Sequence, residues 1–335
     1  METRILKKSQ LSSFITGLLE HQAVFAPVKN GDFTQFQQLN QADELDLESA
    51  HNTRYPPKAL FQPQSEPLFE FRDGKFVSLL GEIQPRVIFG IRPCDVHALQ
   101  LLDTVFNAEG AQDPYWLAKR EKTTIITLGC HQPCSTCFCT SVGGSPFDSR
   151  GSDLLLTDMG DYYALDVVTD RGNALVQSMP VAAYGQANDV KDVQTKAEAS
   201  LPKAFDPTGI RDKLYQLFSS DYWEKMQQSC LGCGVCTYLC PTCFCFDIVD
   251  EKQRSQRVRN WDTCMFRVYT QEASGHNPRP TKLERTRQRI MHKYAYWLDN
   301  INEIGCTGCG RCVRYCPVNL DIRRMIQTAQ NWVEA

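Results

Sequence analysis

The chain has 335 residues, of which 42% are hydrophobic and 22% charged, a composition typical of a globular protein with a substantial apolar core. Its formal net charge of −3 gives no basic excess, which excludes a general affinity for nucleic acid. No apolar run approaches the roughly 18–20 residues that span a bilayer, and the first residues lack a secretory signal, so we expect a cytoplasmic protein without direct membrane insertion.

The first half of the chain predicts an α/β domain. A helix with apolar residues on one face is expected over 9–21, and Asp73-Gly74 marks a hairpin turn. The segments Arg86–Ile91 and Thr123–Leu128 have the continuous apolar pattern of buried strands, with a helical pattern between them. Strand, helix and strand at this spacing indicate an α/β unit, and a further hairpin is expected around Gly160-Asp161.

The second half predicts mostly helix. Residues 185–206 are polar and are interpreted as the boundary between two domains, 1–206 and 207–335. Helical patterns follow over 210–228 and 282–300.

Cysteine is unusually frequent, with 16 residues. In a small secreted protein this number would indicate disulfides, but a large cytoplasmic chain neither needs them nor keeps them oxidised. The cysteines therefore point to metal ligands, and their spacing indicates which metal.

Two segments repeat the pattern C-x2-C-x2-C-x3-C-P, which binds [4Fe–4S] clusters in two-cluster ferredoxins. Three closely spaced thiolates bind three corners of one cube, and the fourth cysteine, before proline, binds the other cube. We therefore expect one cluster on Cys230, Cys233, Cys236 and Cys316, and a second on Cys306, Cys309, Cys312 and Cys240. Zinc sites instead usually pair two C-x2-C units.

The expected fold class is α+β, in which an N-terminal α/β domain precedes a mainly α-helical, ferredoxin-like domain with two clusters. The two motifs are separated by residues 241–305, which are rich in helix formers. This long insert resembles the helical two-cluster domain of fumarate reductase iron–sulfur subunits.

Eight cysteines lie outside the two motifs: Cys94, Cys130, Cys134, Cys137, Cys139, Cys243, Cys245 and Cys264. The tetrapeptide Thr-Cys-Phe-Cys occurs twice, at 136–139 and 242–245. These residues are either buried thiols that pack as small apolar side chains or ligands of a further [4Fe–4S] cluster between the domains.

A further cluster is favoured because Cys94 and Cys130 both follow predicted strands, and ligand sites form at strand ends. The first-choice ligands are Cys94, Cys130, Cys137 and Cys264, with Cys139, Cys243 and Cys245 as alternates.

Basic residues accompany these motifs. The predicted helix over 282–300 carries Lys282, Arg285, Arg287, Arg289, His292 and Lys293, and the second motif contains Arg311 and Arg314. Such residues usually form a solvated face; near a cluster, their positive charge would raise its reduction potential. Asp95 and His97 beside Cys94 are candidates to tune a cluster or carry protons, although an isolated histidine more often plays a structural part.

Several strings together resemble the beta subunit of soluble sulfhydrogenases and the iron–sulfur subunit of anaerobic sulfite reductase. They are Phe89-Gly-Ile-Arg-Pro-Cys94-Asp-Val-His-Ala98, Asp113-Pro-Tyr-Trp116, Thr136-Cys-Phe-Cys-Thr-Ser141, Cys240-Pro-Thr-Cys-Phe-Cys245 and Trp261-Asp-Thr-Cys264. The resemblance covers about residues 55–320. It implies a subunit placed between a flavin subunit that handles NAD(P)H and a catalytic subunit of the hydrogenase, sulfite reductase or heterodisulfide reductase type. Cys134 departs from the family pattern and is the weakest ligand candidate.

The sequence contains no G-x-G-x-x-G or Walker A string and no G-x-S-x-G or H-E-x-x-H string, so no nucleotide or hydrolase site is indicated. The favoured interpretation is a non-catalytic electron-transfer subunit of a multisubunit oxidoreductase. Two alternatives stay open: an enzyme with its own catalytic metal centre at the extra cysteines, and a redox-sensing scaffold.

Overall fold

Two β-sheets with surrounding helices form the protein in a computed structural model that describes residues 2–48 and 52–333. The strands are β1 (Thr3–Lys7), β2 (Ala23–Asn30), β3 (Phe33–Gln38), β4 (Ser65–Arg72), β5 (Lys75–Ser78), β6 (Arg86–Ile91), β7 (Thr123–Leu128), β8 (Leu154–Asp158), β9 (Tyr162–Val167), β10 (Phe246–Glu251) and β11 (Gln256–Trp261). The α-helices are α1 (Leu11–Leu19), α2 (Pro93–Phe106), α3 (Pro114–Glu121), α4 (Asp170–Val176), α5 (Tyr184–Ala199), α6 (Ile210–Gln216), α7 (Tyr222–Gln227), α8 (Val235–Tyr238), α9 (Lys282–Met291), α10 (Trp297–Ile301), α11 (Arg311–Arg314) and α12 (Ile322–Gln330).

The larger sheet has the strand order β1-β9-β8-β7-β6-β2-β3. Its four central strands, β8, β7, β6 and β2, are parallel neighbours, and the outer pairings are antiparallel. Every residue of β6 and β7 is buried, as expected of parallel strands that are covered on both faces. The predicted strand–helix–strand unit is confirmed, because α2 and α3 connect β6 to β7. The hairpin predicted at Gly160-Asp161 is confirmed as β8–β9.

The smaller sheet has the order β10-β11-β4-β5 and joins the two halves of the chain. The turn at Asp73-Gly74 connects β4 to β5, as predicted. The β10–β11 hairpin comes from the insert between the cysteine motifs, for which the sequence predicts mostly helix. The expectation of a mainly helical C-terminal domain is therefore not confirmed. Pairing of β11 with β4 stabilises the hairpin, and such a long-range contact overrides local propensity.

A buried ionic network holds this junction together. Arg259 on β11 forms ion pairs with Glu66 on β4 and with Asp113, the N-cap residue of α3. Lys119 on α3 also pairs with Glu66. The guanidinium and ammonium groups are thus matched by two carboxylates in a region that water hardly reaches, as buried charges require.

The C-terminal helices pack around a separate core. Tyr222, Trp223, Tyr294 and Ile326 are fully buried there, and Phe138 from the N-terminal half joins the same cluster. The helix predicted over 282–300 is confirmed as α9 and α10, joined by a π-helix, His292–Tyr296. It begins at a capping box. The Thr281 side chain accepts a hydrogen bond from the Leu283 backbone N–H, and the Glu284 carboxylate accepts one from the Thr281 backbone N–H.

Three predicted segments differ in detail. The helix expected over 9–21 is the shorter α1, preceded by a 3₁₀ turn, Lys8–Gln10, and the helix expected over 210–228 divides into α6 and α7. The polar segment 185–206 contains α5, which buries Val190 and Ala197 while its other face is polar.

The boundary between the two predicted domains, at 206/207, stays a prediction. Within the described residues, we find no helix with the length and apolar character needed to cross a bilayer.

Candidate functional site

The first motif and the end of the second line one cavity, called here the first cavity. Cys230, Cys233, Cys236 and Cys316 line it together with Cys312. The loop reverses sharply here, because Gly232 and Gly234 have left-handed backbone angles (φ +69° and +76°) that side chains disfavour. The remaining lining is mainly apolar and includes the residues Val235, Met265, Ile290, Ile322 and Met325. The four cysteines predicted to share one cluster are therefore brought together.

The second cavity is lined by the other predicted set, Cys240, Cys306, Cys309 and Cys312. Cys312 thus borders both cavities, so that the two are direct neighbours. Cys240 lines the second cavity and Cys316 lines the first. The exchange of fourth cysteines between two clusters stays a prediction. The donor sets fit two [4Fe–4S] cubes, each with four thiolates.

Two buried cations lie beside these cysteines. Arg289 lines both cavities, is 7% exposed, and donates from Nη1 to Cys243 Sγ at 3.8 Å. Burial disfavours its charge, but the neighbouring thiolates, Cys236 first among them, raise the pKa of Arg289 well above its usual value. Lys293 donates to Thr242 Oγ1 at 2.7 Å and to the Gly305 carbonyl oxygen at 2.8 Å. Both cations suit a site that holds a negatively charged cluster.

A third cavity contains five cysteines of the N-terminal half: Cys94, Cys130, Cys134, Cys137 and Cys139. Cys94 lies in the first turn of α2 after β6, and Cys130 follows β7. The carboxyl ends of neighbouring parallel strands therefore bring these two cysteines to one edge of the sheet, as predicted from the sequence. Burial raises the pKa of the Cys94 and Cys130 thiols.

The third cavity also adjoins the second. Cys309 lines both, and Asn52 Nδ2 donates to the Cys309 carbonyl oxygen at 2.7 Å. The Phe138 backbone N–H donates to the Gly308 carbonyl oxygen at 2.8 Å, and Cys137 Sγ lies 3.5 Å from the Cys309 carbonyl oxygen. A Cβ atom on Gly308 would lie 2.5 Å from the Cys139 backbone nitrogen, so this contact requires glycine.

The predicted ligand set of the further cluster is brought together only in part. Cys94, Cys130 and Cys137 share the third cavity, but Cys264 does not line it. Cys264 instead interacts with Cys245, and this interaction lowers the pKa of Cys245 to about 6. Sequence spacing did not reveal this division, because the β10–β11 hairpin sets it. The feature of the sequence that could have indicated this division into two groups is the repeated Thr-Cys-Phe-Cys string.

Cys134, the weakest candidate from the sequence, does line the third cavity. It also interacts with Arg314, and this interaction contributes to a raised Arg314 pKa, although burial acts in the opposite direction.

A buried ion pair connects the second motif to α2. Arg311 donates to both carboxylate oxygens of Asp95 at 2.5 and 2.7 Å, and its Nε donates to the Thr53 carbonyl oxygen at 2.8 Å. Both charged side chains are 1% exposed. Asp95 therefore acts as a structural partner of Arg311, while His97 lies 3.4 Å from Glu303.

In the described ranges, no three His, Cys, Asp or Glu side chains converge as the ligands of one metal ion do. The thiolates of a cube bind different iron atoms at its corners, so they surround a volume and do not share one point.

An open cavity of about 480 Å³ borders the third cavity at the carboxyl ends of β6, β7 and β8. Arg92, Cys130 and Gln132 line both spaces. The rest of the lining is mixed: Leu47 and Leu128 are apolar, and the polar members include Lys8, Glu48, His131, Asp158 and Tyr163. Lys8 and Asp158 form an ion pair at 2.8 Å.

Comparison with known proteins agrees with these features. Residues 229–320 match a family model described as a 4Fe-4S dicluster domain. The chain is 31% identical over 323 residues to sulfhydrogenase 2 subunit beta of Pyrococcus furiosus, which covers 94% of this chain and 95% of that protein. No solved structure matches the chain. The protein is therefore an iron–sulfur protein with a [4Fe–4S] dicluster domain, and it belongs to the family of sulfhydrogenase beta subunits.

Proposed function

We propose that the chain passes electrons between a flavin subunit that handles NAD(P)H and a catalytic redox subunit of a cytoplasmic complex. The supporting observation is the series of three cysteine-lined cavities, in which Cys312 borders the first and second and Cys309 borders the second and third. Neighbouring cavities in contact provide the short separations that electron transfer needs. The relative in Pyrococcus furiosus is named as a hydrogenase subunit, which supports a catalytic partner of that type.

We assign Cys230, Cys233, Cys236 and Cys316 to one cluster, and Cys306, Cys309, Cys312 and Cys240 to the second. Cys94, Cys130 and Cys137 are assigned to a third, with Cys134 or Cys139 as its fourth ligand. Each [4Fe–4S] cluster, when bound, accepts and releases one electron. The support for each assignment is that its members line one cavity.

The protein itself contributes charge and exclusion of water. Arg289 and Lys293 bring two buried positive charges to the first and second cavities, and these stabilise additional negative charge there. The apolar lining of the first cavity, including Met265 and Ile290, strengthens the attraction between Arg289 and negative charge in the cavity, while it disfavours added charge that no cation compensates. The buried cations therefore favour the reduced state of whatever centre the thiolates hold.

The decisive experiment uses the native complex, purified anaerobically and analysed for its subunits. Replacement Cys312→Ser, at the cysteine between the first and second cavities, should abolish electron flow from NAD(P)H to the catalytic subunit while the complex stays assembled. Unimpaired electron flow in the Cys312→Ser complex would refute the relay, and a complex that dissociates would support the scaffold.

The third cluster has its own test. The anaerobically reconstituted chain should hold more iron than the about eight atoms of two cubes. The double variant Cys94→Ser/Cys130→Ser should lose about four of them. A wild-type count of about eight would contradict the assignment.

A second candidate function is an enzyme with a catalytic metal centre in the third cavity. The open cavity favours it, because Cys130 and Arg92 line both that space and the third cavity with its five cysteines. Crevices at the carboxyl ends of parallel strands commonly bind substrates. Turnover of a small-molecule oxidant by the isolated chain, lost in Cys130→Ser but retained in Cys233→Ser, would support it over the relay.

A further inference from the structure

We propose that an open cavity beside the first cavity binds the isoalloxazine ring of a flavin, and that electrons pass between this ring and the centre of the first cavity. The inference rests on the proposed function, because it names the place where the relay exchanges electrons with a flavin. The cavity, called here the aromatic cavity, has a volume of about 320 Å³. Four rings, a guanidinium and an amide line it: Tyr55, Tyr238, Trp261, Tyr315, Arg54 and Gln64.

The aromatic cavity adjoins the first cavity directly. Cys233 and Val235 line both spaces. All sixteen cysteines lie within the described residues, and of these Cys233 alone is exposed. A centre bound through Cys233 is therefore open to an external electron carrier on this side of the chain.

Hydrogen bonds fix two of the rings. The Trp261 indole N–H donates to the Gln62 carbonyl oxygen at 2.9 Å, and the Tyr238 hydroxyl donates to the Trp261 carbonyl oxygen at 3.4 Å. The centres of the Tyr238 and Trp261 rings lie 6.3 Å apart. Because both rings are positioned before a ligand arrives, a ligand that stacks on them loses little affinity to side-chain ordering.

Arg54 and Tyr55 are exposed members of the lining. The guanidinium carbon of Arg54 lies 5.9 Å from the centre of the Tyr55 ring and 5.5 Å from that of the Tyr315 ring. Among the described residues, no carboxylate forms an ion pair with Arg54. Its positive charge is therefore available to an anionic ligand.

This lining favours a flat aromatic ligand with a polar edge. Tyrosine and tryptophan rings stack on planar ring systems, and the Gln64 amide both donates and accepts hydrogen bonds. The flavin ring has a donor and acceptors along one edge, whereas a quinone has acceptors only. Arg54 suits the negative charge that the reduced flavin ring carries. Ligand pockets measure roughly 300–1,000 Å³, so a cavity at the lower limit takes one ring system and leaves the rest of a dinucleotide outside.

Electron exchange at this place balances in single steps. An anionic reduced flavin loses two electrons and one proton when it is fully oxidised, whereas a [4Fe–4S] cluster accepts one electron at a time. The centre bound through Cys233 takes the two electrons one after the other and passes each toward the second cavity, which Cys312 also lines. The proton leaves to solvent at the exposed side, beside Arg54 and Tyr55.

The binding test titrates the full chain, purified anaerobically, with flavin mononucleotide and follows the quenching of flavin fluorescence that stacking causes. We expect saturable binding. Tyr55→Ala should raise the Kd about three- to tenfold, while Tyr55→Phe keeps the ring and should bind as wild type does. The matched control is Tyr184→Ala, which removes an 86%-exposed tyrosine on α5. Lack of saturation, or the same Kd for wild type and Tyr55→Ala, would overturn the site.

Competition tests the class of ligand. Riboflavin should displace flavin mononucleotide, because it carries the same ring system. Adenosine monophosphate and the quinone menadione should not displace it at the same concentration. Displacement by either compound would contradict a flavin site.

A kinetic measurement tests the electron transfer itself. Reduced flavin mononucleotide is mixed with the oxidised chain, and the bleaching of the iron–sulfur absorbance is followed. Tyr55→Ala should slow this reaction about three- to tenfold at subsaturating flavin, while reduction by dithionite, which needs no aromatic site, stays unchanged. Equal slowing with both reductants would contradict the site. Cys312→Ser should leave the flavin Kd unchanged, so failure of the relay is distinguishable from failure of flavin binding.

The native complex shows where the ring comes from. If the flavin of the partner subunit fills the aromatic cavity, the complex takes up no added flavin mononucleotide, and Tyr55→Ala slows electron flow from NAD(P)H. If the cavity stays open, the complex binds added flavin mononucleotide and Tyr55→Ala weakens that binding. No uptake together with unaffected flow in Tyr55→Ala would contradict the proposal.

Discussion

Replacement Asp95→Asn would leave a fully buried guanidinium without its carboxylate. Asp95 and Arg311 are each 1% exposed and form two hydrogen bonds at 2.5 and 2.7 Å. The asparagine keeps the shape of the side chain but removes the charge and turns one acceptor into a donor that faces Arg311.

The magnitude follows from the burial of the pair. Removing one partner of a buried ion pair costs about 3–5 kcal/mol, because the other charge stays desolvated. The sulfur groups of Cys309 and Cys94 also act on Arg311 and remain in the variant, so we expect about 3 kcal/mol, the lower end of that range. At roughly 2 °C per kcal/mol for a large chain, the midpoint of thermal unfolding should fall by about 6 °C.

The assay is anaerobic thermal unfolding of the full chain, followed by far-ultraviolet circular dichroism, with iron content measured beforehand. The control is Glu70→Gln, which breaks a surface pair with the 64%-exposed Arg72 and should cost roughly 0–1 kcal/mol. Asp95→Leu/Arg311→Met, which removes both charges, should recover part of the stability. A fall of less than about 2 °C at full iron content, or a double variant as unstable as Asp95→Asn, would refute the reasoning.

Three further predictions concern the contacts between cavities. Gly308→Ala should destabilise the chain and reduce iron content, because its Cβ would lie 2.5 Å from the Cys139 nitrogen; Gly74→Ala, with similar φ but open space, should cost only about 1–2 kcal/mol of backbone strain. Arg289→Gln should lower the midpoint potentials of both dicluster centres, and a redox titration identical to that of wild type would contradict this. Removal of iron with a chelator should loosen the loops of the first cavity and speed hydrogen exchange there, with little change in the β6–β7 region; uniform exchange rates across the chain would contradict this.

The dicluster was predictable from sequence because its ligands follow a strict local spacing. Three cysteines at C-x2-C-x2-C wrap one cube whatever surrounds them, and the fourth cysteine before proline identifies the partner cube. Strands β6 and β7 were equally clear, because their continuous apolar runs are typical of parallel strands buried on both faces. In each case the information lies within a few neighbouring residues.

The grouping of the other cysteines was not predictable in the same way. Cys264 lies 19 residues after Cys245 and 170 residues after Cys94, but spacing along the chain does not by itself decide which cysteines it meets. The register of β10 against β11 decides between them, and that register depends on pairing with β4, a strand nearly two hundred residues earlier. Helix α5 was missed for a related reason: it buries only Val190 and Ala197 along 16 residues, so its apolar pattern is too sparse to detect.

The two halves of the chain are tied together at the points where the cavities meet. Phe138 lies in the core of the C-terminal helices, and its backbone N–H bonds Gly308. On the other side, the hairpin carries Arg259 into the buried network with Glu66. Because the Phe138–Gly308 contact holds the N-terminal cysteines against the second motif, the separation between the second and third cavities is set by packing. A relay requires such a fixed separation, since electron transfer slows steeply with distance, whereas a chain that only stores clusters does not.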